Sequence, residues 1–357
     1  MKFFTIFSII FLSIAILYQV YCKSIHYLPL YSTQQQQEIT KELILLNNKG
    51  RIIQEGWARK PYWKYNRSQI KDFTKLRTKE WDYYATISQT YKFGLAATIS
   101  DLGYGALLAL TYIDLENSST YQIDTMKFFT FGNMNLSSSS DIDNSVFFSN
   151  DDFSLRFDRR SDKRYLFFSA PKMNISGRIG LFANLTLSQP TELESMNIAT
   201  SWKEDRSCFY LNEKVNMMET KGTVKIGNDD FHLIDKDAYT VLDWGRGKWT
   251  YQNRWYWSSL SSATIGFNLG YGFSDRSPAT ENVLFYENKV HKLGNVKFDI
   301  PTIENEKVYD VIPWKVYSDD GKLNLNFTPI VDRKSNVNFG VIKSVQHQVF
   351  GKFNGTA

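Results

Sequence analysis

The residues best suited to chemistry lie between Leu242 and Asn288, and in the dense part over 243–257 an acid, two arginines and several aromatic side chains follow one another closely. Asp243 is the candidate catalytic residue, because neighbouring tryptophans would exclude water from its carboxyl group. Such burial favours the neutral form, which suits a general acid. Arg246 or Arg254 would instead hold Asp243 as a structural carboxylate, and an Asp–Arg pair is the commoner arrangement. The sequence leaves both interpretations open.

Side chains that are able to shape a pocket accompany this acid. Alternate residues of a strand face opposite sides, so Asn268 and Gly270 share one face while Phe267 and Leu269 share the other. Glycines inside a strand often leave room for a ligand. The candidate ligand-binding residues are Trp244, Arg246, Trp249, Arg254, Trp255, Trp257, Asn268, Glu281 and His347. In the alternative interpretation, the four tryptophans of this set simply fill the core.

Other kinds of active site have little support in the sequence. Four scattered histidines and two cysteines provide no metal-ligand spacing, so we expect no metal and no cofactor. Ser258, His291 and Asp243 have the residue types of a catalytic triad, but no Gly-X-Ser-X-Gly nucleophile motif is present to support one. Asp275 and Glu281 are second candidate acids, although the segment 274–280 has the composition of a turn, where acids are common.

The elements that must position these residues are strands. Aromatic residues make up 16% of the chain, and short apolar runs alternate with turns rich in Gly, Asn and Asp. The pattern predicts an all-β protein with two antiparallel sandwich or barrel halves and little helix. We expect an N-terminal β-domain over residues 42–190 and a C-terminal barrel-like β-domain over 191–357. The segment Gln189-Pro190-Thr191 marks the boundary.

The N-terminal segment predicts the compartment. An apolar run over 3–17 follows Lys2, and Val20 and Cys22 suit the positions before a signal-peptidase cut, so residues 1–22 are a signal peptide or signal anchor. Residues 23–41 form a polar linker. We therefore expect a secreted or lumenal protein, with membrane contact only through an uncleaved N-terminal segment. The net charge of +5 is spread without a basic cluster, which predicts no nucleic-acid partner.

Glycosylation sequons fit the secretory pathway, whereas two cysteines agree poorly with a disulfide framework. The seven candidate glycosylation sites are Asn66, Asn117, Asn135, Asn174, Asn184, Asn326 and Asn354. An Asn- and Ser-rich chain contains some sequons by chance, so we expect only a subset to carry glycans. If Cys22 leaves with the signal, Cys208 is alone, and we expect it to be a small buried hydrophobe without a disulfide partner.

Several motifs together resemble domain-of-unknown-function family 2804, in order, over residues 43–355. They are Gly56-Trp57-Ala58-Arg59-X-Pro61, Lys79-Glu80-Trp81-Asp82-Tyr83-Tyr84, Asp243-Trp244-Gly245-Arg246-Gly247-X-Trp249-X-Tyr251, Trp255-X-Trp257, Asn268-Leu269-Gly270-X-Gly272, Thr280-Glu281-Asn282, Phe327-Thr328-Pro329 and His347-Gln348-X-Phe350-Gly351. The resemblance implies two lipocalin-like halves, distantly similar to the carotenoid hydratase and tocopherol cyclase-like group. It also implies a further strand pair after the last motif, so the second barrel would be open or filled by an N-terminal strand.

Three functions are compatible with these features. The leading hypothesis is a lipocalin-like protein that binds an apolar small molecule, such as a lipid or isoprenoid, because an aromatic-rich all-β chain follows a signal segment. The second is a cofactor-free hydratase, cyclase or isomerase in which Asp243 protonates a carbon–carbon double bond, as the resemblance implies. The third is a carbohydrate-binding module that stacks sugars on aromatic faces, which requires exposed tryptophans.

Overall fold

The structure is a computed structural model that describes residues 36–73, 75–303, 306–310, 312–338, 340 and 343–357. The signal segment expected over residues 1–22 and the expected linker up to residue 35 lie outside the described residues. The described end of that linker is packed, because Ile39 is buried and Gln36 hydrogen-bonds both Thr280 and Leu293. Within the described ranges, no helix has the length and apolar character needed to cross a membrane.

Strands account for nearly all of the regular structure, so the all-β prediction is confirmed. The first fourteen strands are β1 (Leu43–Ile44), β2 (Gly56–Ala58), β3 (Trp63–Lys64), β4 (Thr78–Ser88), β5 (Phe93–Asp101), β6 (Gly105–Asp114), β7 (Ser119–Phe128), β8 (Asn144–Ser149), β9 (Ser154–Arg160), β10 (Lys163–Ile175), β11 (Arg178–Ser188), β12 (Met196–Ser201), β13 (Phe209–Ile226) and β14 (Asp229–Lys248). The next ten are β15 (Tyr256–Ser261), β16 (Ile265–Tyr271), β17 (Val283–Tyr286), β18 (Lys289–Lys292), β19 (Val296–Asp299), β20 (Thr302–Ile303), β21 (Glu306–Lys307), β22 (Trp314–Ser318), β23 (Asn324–Asn338) and β24 (Lys343–Thr356). A short 3-10 helix occupies Arg67–Gln69.

Twelve strands form one large antiparallel sheet. Its path runs β7-β6-β5-β4-β14-β13-β11-β10-β9-β8, and β12 pairs with both β13 and β2. Within the described residues, β7 and β8 are the two ends of this path and do not pair with each other. Of the two predicted forms, sandwich or barrel, the fold is therefore the one with packed open sheets and not the closed barrel. Because β14 pairs with β4 and β13 pairs with β11, one sheet includes strands from both sides of residue 190. The division into two domains there stays a prediction.

The central strands β13 and β14 present two different faces. Asp243 and Lys214 are cross-strand partners, and so are Trp244 and Glu213, the next pair along. Because successive residues of a strand face opposite sides, these two pairs lie on opposite faces of the sheet. Trp244 packs into the main hydrophobic core of the large sheet. We call the other side, to which Asp243 and Lys214 turn, the Asp243 face.

A second sheet, β15-β16-β17-β18, lies on the Asp243 face. A β-bulge in β13 between Val215 and Met218 turns Asn216 out of the ladder. The Asn216 Nδ2 donates to the backbone oxygens of Leu260 (3.0 Å) and Phe267 (3.1 Å), which belong to β15 and β16. The fully buried Asn216 amide therefore fixes the second sheet on the first.

A third sheet, β19-β22-β23-β24, covers the far side of the second. Phe267 and Leu269 pack there with Val316 and Phe298, whereas Asn268 turns toward the large sheet, in agreement with the alternation predicted for this strand. The long β23–β24 hairpin also reaches the large sheet, where its side chains pack beside β5 and β6. The candidate site therefore lies between packed sheets.

Candidate active site between two sheets

Asp243 is one half of an ion pair. The Lys214 Nζ lies 2.5 Å from the Asp243 Oδ2. The Asp243 Oδ1 accepts hydrogen bonds from the Asn212 Nδ2 (2.7 Å) and the Trp81 Nε1 (3.0 Å). Of the two interpretations left open by the sequence, this geometry corresponds to the paired carboxylate, with a lysine as partner instead of the expected arginine.

Gly245 makes room for the indole that binds Asp243. Gly245 is the cross-strand partner of Trp81, and a Cβ at position 245 would lie 1.9 Å from the Trp81 Cζ2. The Trp81 ring therefore occupies the space above β14, and its Nε1 reaches the carboxyl group two residues earlier. In the sequence Asp243-Trp244-Gly245, Asp243 accepts the hydrogen bond, and Gly245 leaves the space that the donor ring of Trp81 occupies.

Lys214 is a buried cation, with 2% of its side chain exposed. Its Nζ lies 4.5 Å from the centre of the Trp257 ring, which reaches over it from the second sheet. An unpaired ammonium group at such a position costs several kcal/mol of lost hydration. The Asp243 carboxylate and the negative face of the Trp257 ring offset this cost. The pair thus depends on side chains from both sheets.

Trp257 connects the ion pair to a second carboxyl group. The Trp257 Nε1 donates to the Asn268 Oδ1 (2.7 Å), and the Asn268 Nδ2 donates to the Glu281 Oε2 (3.1 Å). Burial raises the pKa of Glu281, while the positive charge of Lys214 and the Asn268 hydrogen bond oppose this shift and the negative charge of Asp243 adds to it. A carboxyl group that retains its proton to higher pH is suited to general acid catalysis.

Gly270 provides the space that the Glu281 carboxyl group occupies, because a Cβ at position 270 would lie 2.2 Å from the Glu281 Oε1. Beside it lies a cavity of about 10 Å³, the size of a single water molecule. Burial, together with the charges of Glu281 and Asp243, raises the pKa of the Tyr210 phenol, which therefore stays neutral. The cavity is lined by Ile198, Tyr210, Gly270, Tyr271, Phe273, Ser274, Arg276 and Glu281.

Arg246 lies on the opposite face of the sheet from Asp243. Its guanidinium group lies 4.1 Å from the centre of the Trp244 ring and 3.0 Å from the Asp82 Oδ1. Its Nε and Nη2 donate to the backbone oxygen of Ser137. Arg246 is fully buried. It therefore joins β14 to β4 and to the loop around residue 137, within the main core.

Two further acids lie on this core face. Glu80 lines an open cavity of about 400 Å³, where it accepts a hydrogen bond from the Tyr65 hydroxyl (2.5 Å) and pairs with Arg67. Glu213 lies deeper. Burial and the nearby charge of Asp141 raise its pKa to about 7. These acids are separated from Asp243 by the thickness of the sheet.

The remaining predicted binding residues lie at different distances from this site. Trp249 adjoins it, because its ring packs edge-on against Trp81 at 5.4 Å between centroids. Trp255 is exposed, and Arg254 lies over the Tyr256 ring at the surface.

His347 belongs to a separate cluster on β24. Its Nδ1 lies 2.6 Å from the Asp332 Oδ2, and its ring stacks on Tyr309. Asp275, the other candidate acid, is buried and pairs with Arg206 at 2.9 Å. The structure thus brings together Asp243, Trp257, Asn268 and Glu281, and it places Trp244, Arg246 and His347 elsewhere.

Sequence reasoning missed the residues that bind these side chains, namely Lys214, Trp81, Asn212 and Tyr210. Trp81 was visible only as part of a family motif, and alternation within that motif places it on one face with Tyr83. The pairing of β4 with β14 joins residues 150 to 170 positions apart. Nothing local in the sequence indicates that register, so the Trp81 donor to Asp243 could not be predicted from the neighbours of Asp243.

Known proteins with similar structures include an enzyme of the hydratase class. A candidate AttH of Nitrosomonas europaea has 12% identity and a TM-score of 0.48, with 80% of this chain and 91% of that chain covered. Kievitone hydratase of Nectria haematococca has 14% identity and a TM-score of 0.43, with 76% and 86% covered. The protein CghA has 8% identity and a TM-score of 0.46, with 78% and 84% covered. No curated protein matches the chain. Residues 36–357 match the family described as Domain of unknown function (DUF2804), and the chain belongs to this family.

Proposed function

We propose that this protein binds a small molecule with an apolar body between its first two sheets and transfers a proton to it. The observation that carries the proposal is the pair of partly buried carboxyl groups with different partners, Asp243 in an ion pair with Lys214 and Glu281 with a raised pKa. In many acid–base enzymes, two nearby carboxyl groups have different environments, and this difference lets one act as the proton donor while the other stays ionised.

Glu281 is the general acid in this proposal. Its proton passes to a carbon–carbon double bond, which leaves a carbocation on the substrate and a carboxylate on Glu281. In a hydration, water adds to the cation and the proton that it loses returns to Glu281. In an isomerisation, a neighbouring carbon of the substrate returns the proton instead. Either cycle restores the acid and needs no group beyond the side chains of the chain.

Asp243 and Lys214 act as positioning residues. Their pair holds Trp257, whose indole hydrogen-bonds Asn268 and so orients Glu281. The faces of Tyr210 and Phe273, which line the small cavity, suit a carbocation because aromatic rings attract positive charge. Their apolar bodies suit an apolar substrate. A ligand larger than one water molecule would have to displace lining side chains such as Phe273 and Arg276.

Binding of sugars on an aromatic platform has less support. Of the nine tryptophans, all of which lie in the described ranges, only Trp255 is exposed, at 44%. Sugar stacking needs accessible ring faces, which the others lack.

We also propose that the protein acts in the secretory pathway. All seven sequon asparagines are exposed, whereas the buried asparagines, Asn197, Asn212, Asn216, Asn268 and Asn282, belong to no sequon. Secretory expression followed by glycosidase treatment tests this. A drop in mass supports the proposal, and an unchanged mass with retention in the cytosol would contradict it.

Deuterium incorporation tests the proposed chemistry even when the product is unidentified. The protein is incubated in heavy water with a panel of isoprenoid alkenes, and mass spectrometry follows uptake of solvent deuterium at carbon. We expect uptake with at least one alkene and its loss in Glu281→Gln, which keeps the size of the side chain. Glu116→Gln is the matched control, because Glu116 is an exposed glutamate in the turn between β6 and β7 of the large sheet and takes no part in the proposed proton transfer. Equal uptake with wild type and Glu281→Gln would exclude Glu281 as the acid.

A further inference from the structure

An apolar patch is exposed at the end of the large sheet where β5, β6 and β7 meet. Its members are Phe73, Leu76, Phe128, Phe129 and Phe131, with exposed fractions of 102%, 41%, 53%, 73% and 36%. The Phe128 and Phe129 rings lie 6.4 Å apart, and the Phe129 and Phe131 rings lie 6.1 Å apart. Several large apolar side chains grouped in this way on a surface usually mark an interaction site.

The backbone holds two of these phenylalanines outward at a conformational cost. Phe129 and Phe131 have φ values of 59° and 49°, which a bulky side chain rarely adopts. Between them Thr130 is buried, and its hydroxyl donates to the Asp101 carboxylate at 2.9 Å. The same carboxylate accepts the Gly132 backbone N–H at 2.8 Å. Asp101 thus anchors an alternation in which Thr130 faces inward and its aromatic neighbours face solvent.

A second segment joins the patch through the β5–β6 turn. The backbone N–H groups of Phe129 and Phe131 donate to the oxygens of Tyr104 and Gly103 in this turn. On its other side Gly103 packs so closely on the chain that a Cβ there would lie 2.1 Å from the Lys75 oxygen. Leu76 follows Lys75 directly and Phe73 lies two residues before it, so both apolar segments meet at one turn.

The rim of the patch is cationic. Lys75 and Lys127 are exposed beside the apolar side chains. The neighbouring acids turn inward, since Asp101 is fully buried and the Asp72 carboxylate accepts hydrogen bonds from the backbone N–H groups that begin β4. Exposed aromatic side chains with two adjacent lysines suit the interface of a bilayer that contains anionic lipid.

We propose that this apolar patch docks the protein on the surface of an anionic membrane. The phenylalanines would enter the boundary between headgroups and acyl chains, while the lysines would remain among the phosphates. This contact is independent of the N-terminal segment and of the proton-transfer site. It would place the 400 Å³ cavity at the membrane, because Gly132, which follows Phe131, lines that cavity.

Hydrogen–deuterium exchange of the full chain tests the proposal locally. The protein is mixed with vesicles of phosphatidylcholine alone or of phosphatidylcholine with phosphatidylserine. We expect the mixed vesicles to slow exchange in the segments 71–77, 101–105 and 126–132, whatever the N-terminal segment does. Unchanged exchange in all three segments would overturn the proposal. So would slowed exchange that needs no vesicles and increases with protein concentration, which would indicate a second copy of the chain.

Two variants separate the apolar and the ionic contributions. Phe73→Ser combined with Phe129→Asn should weaken vesicle binding roughly tenfold, and asparagine tolerates the left-handed backbone at position 129. Lys75→Glu combined with Lys127→Glu should weaken binding to the anionic vesicles by a similar factor and leave the weaker binding to phosphatidylcholine unchanged. Ile234→Ser and Lys163→Glu are controls at exposed positions outside the patch. Losses in the controls equal to those in the patch variants would contradict the proposal.

Discussion

At the scale of single residues, the central feature is the buried charge of Lys214. A cation with 2% exposure persists only because a carboxylate and a ring face surround it. Removal of one partner from a buried pair is far more costly than removal of both, because the remaining charge has neither water nor a counter-ion. If Asp243 is a paired carboxylate, its removal alone should therefore destabilise the protein more than its removal together with Lys214, whereas a free acid would show no such difference.

Asp243→Asn should therefore lower the free energy of unfolding by about 3–5 kcal/mol, since Lys214 would be left buried without its counter-ion. Lys214→Met added to this variant should recover most of the loss. Denaturant unfolding of wild type, both single variants and the double variant measures the coupling. Additive losses would show that the two side chains are not energetically paired.

At the scale of elements, glycines in β14 and β16 determine where the functional side chains lie. Gly245 accommodates the Trp81 ring above one strand, and Gly270 accommodates the Glu281 carboxyl group above another. The sequence indicated that a strand glycine leaves room for a ligand. It did not indicate that the occupant would be a side chain of the same protein.

Gly270→Ala should lower the free energy of unfolding by about 1–3 kcal/mol, because the new methyl group competes with the Glu281 carboxyl group for one space. The same change made in a Glu281→Ala background should cost much less, since the competing atoms are gone. Thermal or denaturant unfolding of the four proteins measures this difference. An equal loss of unfolding free energy in both backgrounds would show that the new methyl group does not compete with the Glu281 carboxyl group.

The alternation within strands was predictable, and the pairing between strands was not. The prediction for β16, with Asn268 opposite to Phe267 and Leu269, needed only the period of two residues. Prediction of the ion pair of Asp243 would have required the register between β13 and β14. That register is shifted by a bulge at Asn216, which no local sequence pattern indicates. The position of Arg246 away from Asp243 follows from the odd spacing of the two residues along one strand, which the arginine hypothesis had overlooked.

At the scale of the whole molecule, the large sheet is continuous across residue 190. Strands β13 and β14 lie between β4 and β11, so each half of the chain supplies neighbours to the other. The all-β class followed from composition and turn spacing. The order of the strands did not, because it depends on contacts between distant segments.

A fragment of residues 36–190 should accordingly fail to fold alone, because β4 and β11 would lose their central partners and expose apolar surface. The intact chain should unfold as one cooperative unit across the sheet. Circular dichroism of the fragment, and agreement between calorimetric and van't Hoff enthalpies for the intact chain, test this expectation. A fragment with a sharp unfolding transition would instead support the boundary that the sequence predicts at residue 190.

Glu281, the proposed acid, retains its proton because burial of its carboxyl group and the negative charge of Asp243 raise its pKa, against the opposing effects of Lys214 and the Asn268 hydrogen bond. Nuclear magnetic resonance of protein labelled with ¹³C at the glutamate carboxyl groups measures this directly, with the Glu281 signal assigned by its absence in Glu281→Gln. We predict a titration midpoint above the ordinary glutamate pKa of about 4.3, because burial disfavours the charged form. A midpoint at or below that value would contradict the assignment of Glu281 as the proton donor.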